Sequence, residues 1–261
     1  MYYPDASPEK ISSFQQNGFI VVKHAVDLDD IQVAHEISAY ISKNPVEFLG
    51  LDWAWDSGLL KDREFHLVQV GLTDNWSDAA VTPWRKWATR FSSQLMGFGV
   101  EFWYDQILAK PPYHGARTPW HQDEGYWGKN LKGKGVTCWM PFHDVTLELG
   151  CMNFIRGGHK DGVLTHERPP GMKSDLLSCD KEVDEIRVVS CPIKVGSVTF
   201  HHSATPHMTR NNGTGQWRRS LAQHFKDPMV EETEEGNYPW RKGEYNQIYD
   251  NLEKIRSEEL K

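Results

Sequence analysis

The chain has 261 residues, 39% of them hydrophobic and 25% charged, an ordinary globular balance for which one large domain is expected. A formal net charge of −7 argues against the basic surface that nucleic-acid binding requires. No run of roughly 18 apolar residues exists to span a bilayer, and Met1-Tyr2-Tyr3-Pro4-Asp5 lacks a basic segment followed by an apolar one, so no membrane contact and a cytoplasmic location are expected.

Ser7-Pro8-Glu9-Lys10 predicts a helix start with Ser7 as N-cap, carrying Ile11 and Phe14 and ending at Gly18. Phe19-Ile20-Val21-Val22 predicts a strand. Asp27 to Asp30 then opens an amphipathic helix bearing Ile31, Val33, Ala34, Ile37 and Ile41. Residues 45 to 65 are irregular and aromatic, a loop able to fold over a site. Residues 76 to 97 predict one helix, with Trp84, Trp87, Ala88, Phe91 and Leu95 at intervals of three or four.

From about residue 99 the period changes to strands over 100–110, 119–123, 135–145, 151–155, 186–191, 196–202 and 218–225, an antiparallel sandwich or barrel punctuated by Gly and Pro. The polar stretch 160–183 predicts a long, partly mobile insertion, and 241–260 a surface helix. The expected division is therefore a mostly helical support and lid (1–98), a β core (99–226) and a C-terminal helix (227–261), all in one domain. Cys138, Cys151, Cys179 and Cys191 lack Cys-x-x-Cys spacing and are expected to be reduced, buried thiols. With eleven Trp, both core packing and the lining of an organic-substrate cavity are expected.

The chain is organised around Thr118-Pro119-Trp120-His121-Gln122-Asp123-Glu124-Gly125-Tyr126-Trp127. As an extended strand it points His121 and Asp123 to one face and Gln122 to the other. Two imidazoles and one carboxylate on one side of an octahedron form the ligand set of non-haem Fe(II) oxygenases, which leaves positions open for cosubstrate and O2. His201, His202 and His207 are the candidates for the distal histidine; His207 is preferred because Arg218 follows eleven residues later.

With the glycine-rich turn from Gly150 to Lys160, these motifs make the chain resemble the phytanoyl-CoA dioxygenase family of Fe(II)- and 2-oxoglutarate-dependent oxygenases along nearly its whole length. The resemblance implies a mainly β fold with flanking helices around a double-stranded β-helix, a jelly-roll of cupin type, with iron held by His121, Asp123 and His207. It further implies that Arg218 and Thr209 hold the far carboxylate of 2-oxoglutarate, with Trp139 and Gln106 as further contacts, although Gln106 stands where the family often has Met. A planar guanidinium suits a carboxylate better than an ammonium does, and Ser220 shares the face of Arg218, so that pair is expected to hold the carboxylate together, whereas Arg219 is expected at the surface.

The implied activity is oxidation, most simply hydroxylation, of a C–H bond in a small organic substrate, with release of succinate and CO2 and with ascorbate as a possible stimulant. Halogenating relatives have Gly in place of Asp123, so the carboxylate favours hydroxylation. Trp53, Trp55, Arg117, Tyr126 and Trp127 are the substrate-side candidates. The alternatives are a non-catalytic metal- and small-molecule-binding barrel and a zinc hydrolase; the second leaves Arg218 and Thr209 without a task.

Overall fold

A computed structural model describes residues 1–44, 51–52, 67–113, 115–127, 134–167 and 177–230. Ser7 caps α1 (Pro8–Asn17) by accepting from the Lys10 amide, and Gly18 ends it with φ 81°, its N–H bonded to Phe14 O. At Gly18 the chain also passes close to another element: a Cβ there would meet the His159 ring and Thr205 Oγ1. β1 (Phe19–Val22) follows, then α2 (Leu28–Lys43), capped by Asp27. On α2, Ile31, Ala34 and Ile41 are buried as expected, whereas Val33 lies on the solvent side.

The irregular stretch 45–65 contains β2 (Leu51–Asp52), which pairs with β3 (Val68–Val70); Trp53 and Trp55 lie outside the described residues. The single helix expected over 76–97 is broken. After α3 (Leu72–Asn75) comes a 3-10 turn (Ser77–Val81), and α4 (Pro83–Met96) starts afresh with Thr82 as N-cap and Pro83 in the first position. Proline has no N–H to bond backwards, so it begins a helix more readily than it continues one.

The remaining elements are β4 (Glu101–Lys110), β5 (Thr118–His121), α5 (Asp123–Trp127), β6 (Gly135–Pro141), β7 (Met152–Ile155), β8 (Val188–Cys191), β9 (Val198–His202), β10 (His207–Thr209) and β11 (Arg218–Lys226). They form two antiparallel sheets, ordered β1-β9-β6-β11-β4-β3-β2 and β5-β10-β7-β8, the double-stranded β-helix. The expected 241–260 helix lies outside the described residues. The insertion expected over 160–183 is, where described, tethered to the β-helix. Gln122 Nε2 donates to Gly162 O, Gln122 Oε1 accepts from Leu164 N, and Cys179 N donates to Trp120 O.

Alternation along the strands of the large sheet, interrupted by one irregularity of the β11–β4 register between His224 and Phe225, divides its side chains between two environments. On β11, Leu221 and Phe225 join Ile107, Ala109, Val136, Cys138 and Phe200 in the core shared with α1, α2 and α4. The intervening Arg218, Ala222 and His224 face the small sheet and line a cavity. The second core, between the sheets, contains Phe19, Trp139, Met152, Phe154 and Ala222.

Phe200 anchors the helical layer. It is fully buried, stacks on Phe91 at 4.8 Å and meets Trp87 edge-on at 5.6 Å. Phe200→Ala is expected to cost about 3–5 kcal/mol of stability, read as a lower urea midpoint; an unchanged midpoint would refute this packing.

Candidate metal centre

β10 lies antiparallel between β5 and β7, and its register sets His207 opposite His121 with ring centroids 4.1 Å apart. In each ring Nδ1 sits within hydrogen-bond distance of the carbonyl two residues earlier: His121 to Pro119 O at 2.9 Å and His207 to Thr205 O at 3.0 Å. Carbonyls only accept, so Nδ1 carries the proton and Nε2 is left as the ligand atom.

The strand expected through residue 123 ends at His121, because the chain turns at once into α5 and Asp123 is its first residue. Asp123 still reaches the histidines, with Oδ1 3.7 Å from His207 Nε2. His121, Asp123 and His207 each offer one ligand atom, and these atoms lie within 4.8 Å of one another; among the described residues no other group of three does so. Gln122 points away, as expected, and its Nε2 also donates to Ala204 O.

Burial, reinforced by the neighbouring imidazole of His121, holds His207 well below the ordinary imidazole range, and burial likewise lowers His121. Burial alone would raise Asp123, but the opposing influence of His207 and His201 outweighs it and keeps the carboxyl well below the usual carboxylate range. Neutral imidazoles and an ionised carboxylate are the forms that bind a divalent cation.

The cavity in front of these groups is also lined by Thr209, Arg218, Trp139, Gln106, Tyr126 and Trp127. Arg218 is 1% exposed and donates to Ser220 Oγ at 2.7 Å and Leu108 O at 3.3 Å; Nε finds no partner, and no carboxylate pairs with this guanidinium among the described residues. The Trp139 Nε1–H is similarly buried without a partner among the described residues. Orphaned donors around a cavity fit an acceptor-rich anion.

A profile of the phytanoyl-CoA dioxygenase (PhyH) family matches residues 14–220. The chain belongs to this family. As a member it is an Fe(II)- and 2-oxoglutarate-dependent oxygenase. Among similar proteins, the peroxisomal phytanoyl-CoA dioxygenase of Bos taurus is 23% identical over 237 residues, which are 85% of this chain and 68% of that one. The structure of EvdO2 from Micromonospora carbonacea var. aurantiaca complexed with 2-oxoglutarate matches with TM-score 0.70 and 25% identity, over 91% of this chain and 97% of that chain. The fold is also that of the epimerase SnoN in complex with Fe3+, alpha ketoglutarate and nogalamycin RO, with TM-score 0.64 and 18% identity over 83% and 82% of the two chains. No helix among the described residues is long and apolar enough to cross a membrane.

Several side chains lie elsewhere than expected. Arg117 is outside the cavity lining and forms a two-bond pair with Asp180. Ser220 does not line the cavity: its hydroxyl accepts from Arg218 and donates to Leu108 O, so it orients the guanidinium. Arg219 is half-buried against His35 rather than solvated, because its face of β11 meets the helical layer. Gln106 accepts from Gln69 at 2.8 Å, and both line the wall.

His224, which the sequence reading does not single out, lines the cavity, and so do His201 and Thr137. Thr137 Oγ1 lies 2.6 Å from Asp123 Oδ2 and 2.9 Å from His224 Nδ1. A carboxylate only accepts, so Thr137 donates to Asp123 and accepts from His224 Nδ1–H. His224 Nε2, buried without a partner among the described residues, is left as an acceptor. The signal for His224 was present in the two-residue period from Arg218 along β11.

Burial pushes His202 down to about 3 and His224 to about 4, against 6.5 ordinarily. Between those values the unfolded chain binds protons that the folded chain refuses. Stability from these groups is therefore full above pH 6.5 and declines as pH falls towards 4; thermal melts across that range should show a falling midpoint, and a flat profile would contradict the burial of these rings.

Proposed function

We propose that the chain hydroxylates an unactivated C–H bond of a small organic substrate, with Fe(II) held by His121, Asp123 and His207 and the far carboxylate of 2-oxoglutarate held by Arg218 and Thr209. The observation that carries this is the buried guanidinium of Arg218, with no carboxylate partner among the described residues, on the wall of the same cavity as the triad. Iron with 2-oxoglutarate and O2 supplies C–H oxidation coupled to release of succinate and CO2. The chain's own residues do the rest. Nδ1 anchoring aims the two imidazoles, Thr137 fixes one oxygen of Asp123, and Ser220 fixes Arg218.

Trp139 and Gln106 complete the 2-oxoglutarate wall in this proposal. On the substrate side Tyr126 and Trp127 supply aromatic surface, and His224 Nε2 supplies an acceptor suited to a substrate hydroxyl or N–H. Asp123 and Arg218 are the charged side chains among the described cavity residues, and both are engaged by the iron and 2-oxoglutarate. A neutral substrate is therefore favoured. A cytoplasmic location and a single domain belong to the same proposal.

Asp123→Ala and His121→Ala are expected to abolish stoichiometric binding of Fe(II) or Mn(II) by calorimetry; retained stoichiometry would remove these residues from the ligand set. Arg218→Lys is expected to weaken 2-oxoglutarate by at least about tenfold, because one point charge replaces a two-donor fork. Succinate release in a substrate screen tests turnover itself: protein that binds metal and 2-oxoglutarate but never forms succinate would favour a binding role.

A further inference from the structure

Lys110, at the end of β4, is fully buried and paired in register with Arg218 of β11. Among the described residues neither cation has a carboxylate partner. Lys110 Nζ instead meets three acceptors: Thr209 Oγ1 at 2.7 Å, Arg210 O at 2.8 Å and Thr209 O at 3.4 Å. A buried ammonium needs charge compensation or is driven neutral. Burial and the adjacent guanidinium press Lys110 well below its ordinary value.

Lys110 does not line the cavity, but Thr209 does. A hydroxyl has one hydrogen and two lone pairs. Two carbonyls and a hydroxyl around Nζ are the surroundings of a donor, so Thr209 Oγ1 spends a lone pair on Lys110 and keeps its hydrogen for a further acceptor. With Arg218 on the same wall, that acceptor is an anion in the cavity.

We propose that Lys110 is a positioning residue for 2-oxoglutarate: by donating to Thr209 Oγ1 it turns the Thr209 hydroxyl hydrogen towards the carboxylate that Arg218 faces. This rests on the assignment of the cavity to 2-oxoglutarate. Lys110 touches neither ligand nor metal and acts through the hydroxyl alone.

The test is an anaerobic calorimetric titration of 2-oxoglutarate into Mn(II)-loaded protein, in a double-mutant cycle of Lys110→Met and Thr209→Val. Each single variant is expected to weaken 2-oxoglutarate by about tenfold, the scale of one hydrogen bond to a charged group. Mn(II) affinity should not change. The double variant should bind no more weakly than Thr209→Val alone, because without the hydroxyl Lys110 has nothing to orient.

Wild-type affinity in Lys110→Met, or losses that multiply in the double variant, would overturn the proposal. Lys110→Gln keeps a polar group in the buried position should Met not fold; it is expected to bind more weakly than wild type, and wild-type affinity there counts against the proposal equally. Failure of the unmodified protein to bind 2-oxoglutarate refutes the assignment of the cavity instead, so the two failures are distinguishable.

Discussion

The antiparallel pairing of β10 between β5 and β7 is the constraint on which the site depends. Main-chain hydrogen bonds set His207 opposite His121, and two carbonyls, Pro119 O on β5 and Thr205 O just ahead of β10, fix the ring nitrogens that face inward. Two of the three candidate ligands are thus placed by backbone register, which sheet hydrogen bonding specifies more rigidly than side-chain packing alone does. Asp123 is held differently, by a turn into one helical turn and by the Thr137 hydroxyl. The result is a rigid pair and a carboxylate whose second oxygen is already committed.

Around this pair the fold keeps polar and charged groups that a stability-optimised core would avoid. Arg218, Lys110, His201 and His224 are all nearly or fully buried, and several of their donors or acceptors lack partners among the described residues. Buried cations without a carboxylate weaken a folded state unless an anion joins them. The opposite face of the same sheet carries Phe200, Leu221, Phe225 and the aromatic layer of α4, where close packing offsets that cost. One strand, β11, serves both sides through its two-residue period.

Much of this was legible in the sequence. The caps of α1 and α2 and most of the β-helix strands follow from local patterns, whereas the spacing of His121, Asp123, His207 and Arg218 took its meaning from the family resemblance. The 76–97 stretch misled because hydrophobic periodicity continues through Thr82-Pro83, where backbone chemistry starts a new helix. β10 was missed because three residues are too few to show a period.

Lys110, Thr137 and His224 escaped notice for another reason. They lie on β4, β6 and β11, and their meaning comes from partners across strands or on the facing sheet, which a linear pattern does not record. Ser220 shows the converse: sharing a face with Arg218 was correctly inferred, but its hydroxyl is taken up by Arg218 and Leu108 O before any ligand arrives.

Gln122, between two candidate ligands yet turned away from them, ties Gly162, Leu164 and Ala204 to one amide. The backbone beside His121 and Asp123 is thereby welded to the segment 162–164, outside the cavity lining. A rearrangement of that segment has to release the amide, and with it the backbone between the two candidate ligands, so a shift outside the cavity reaches both through a single side chain.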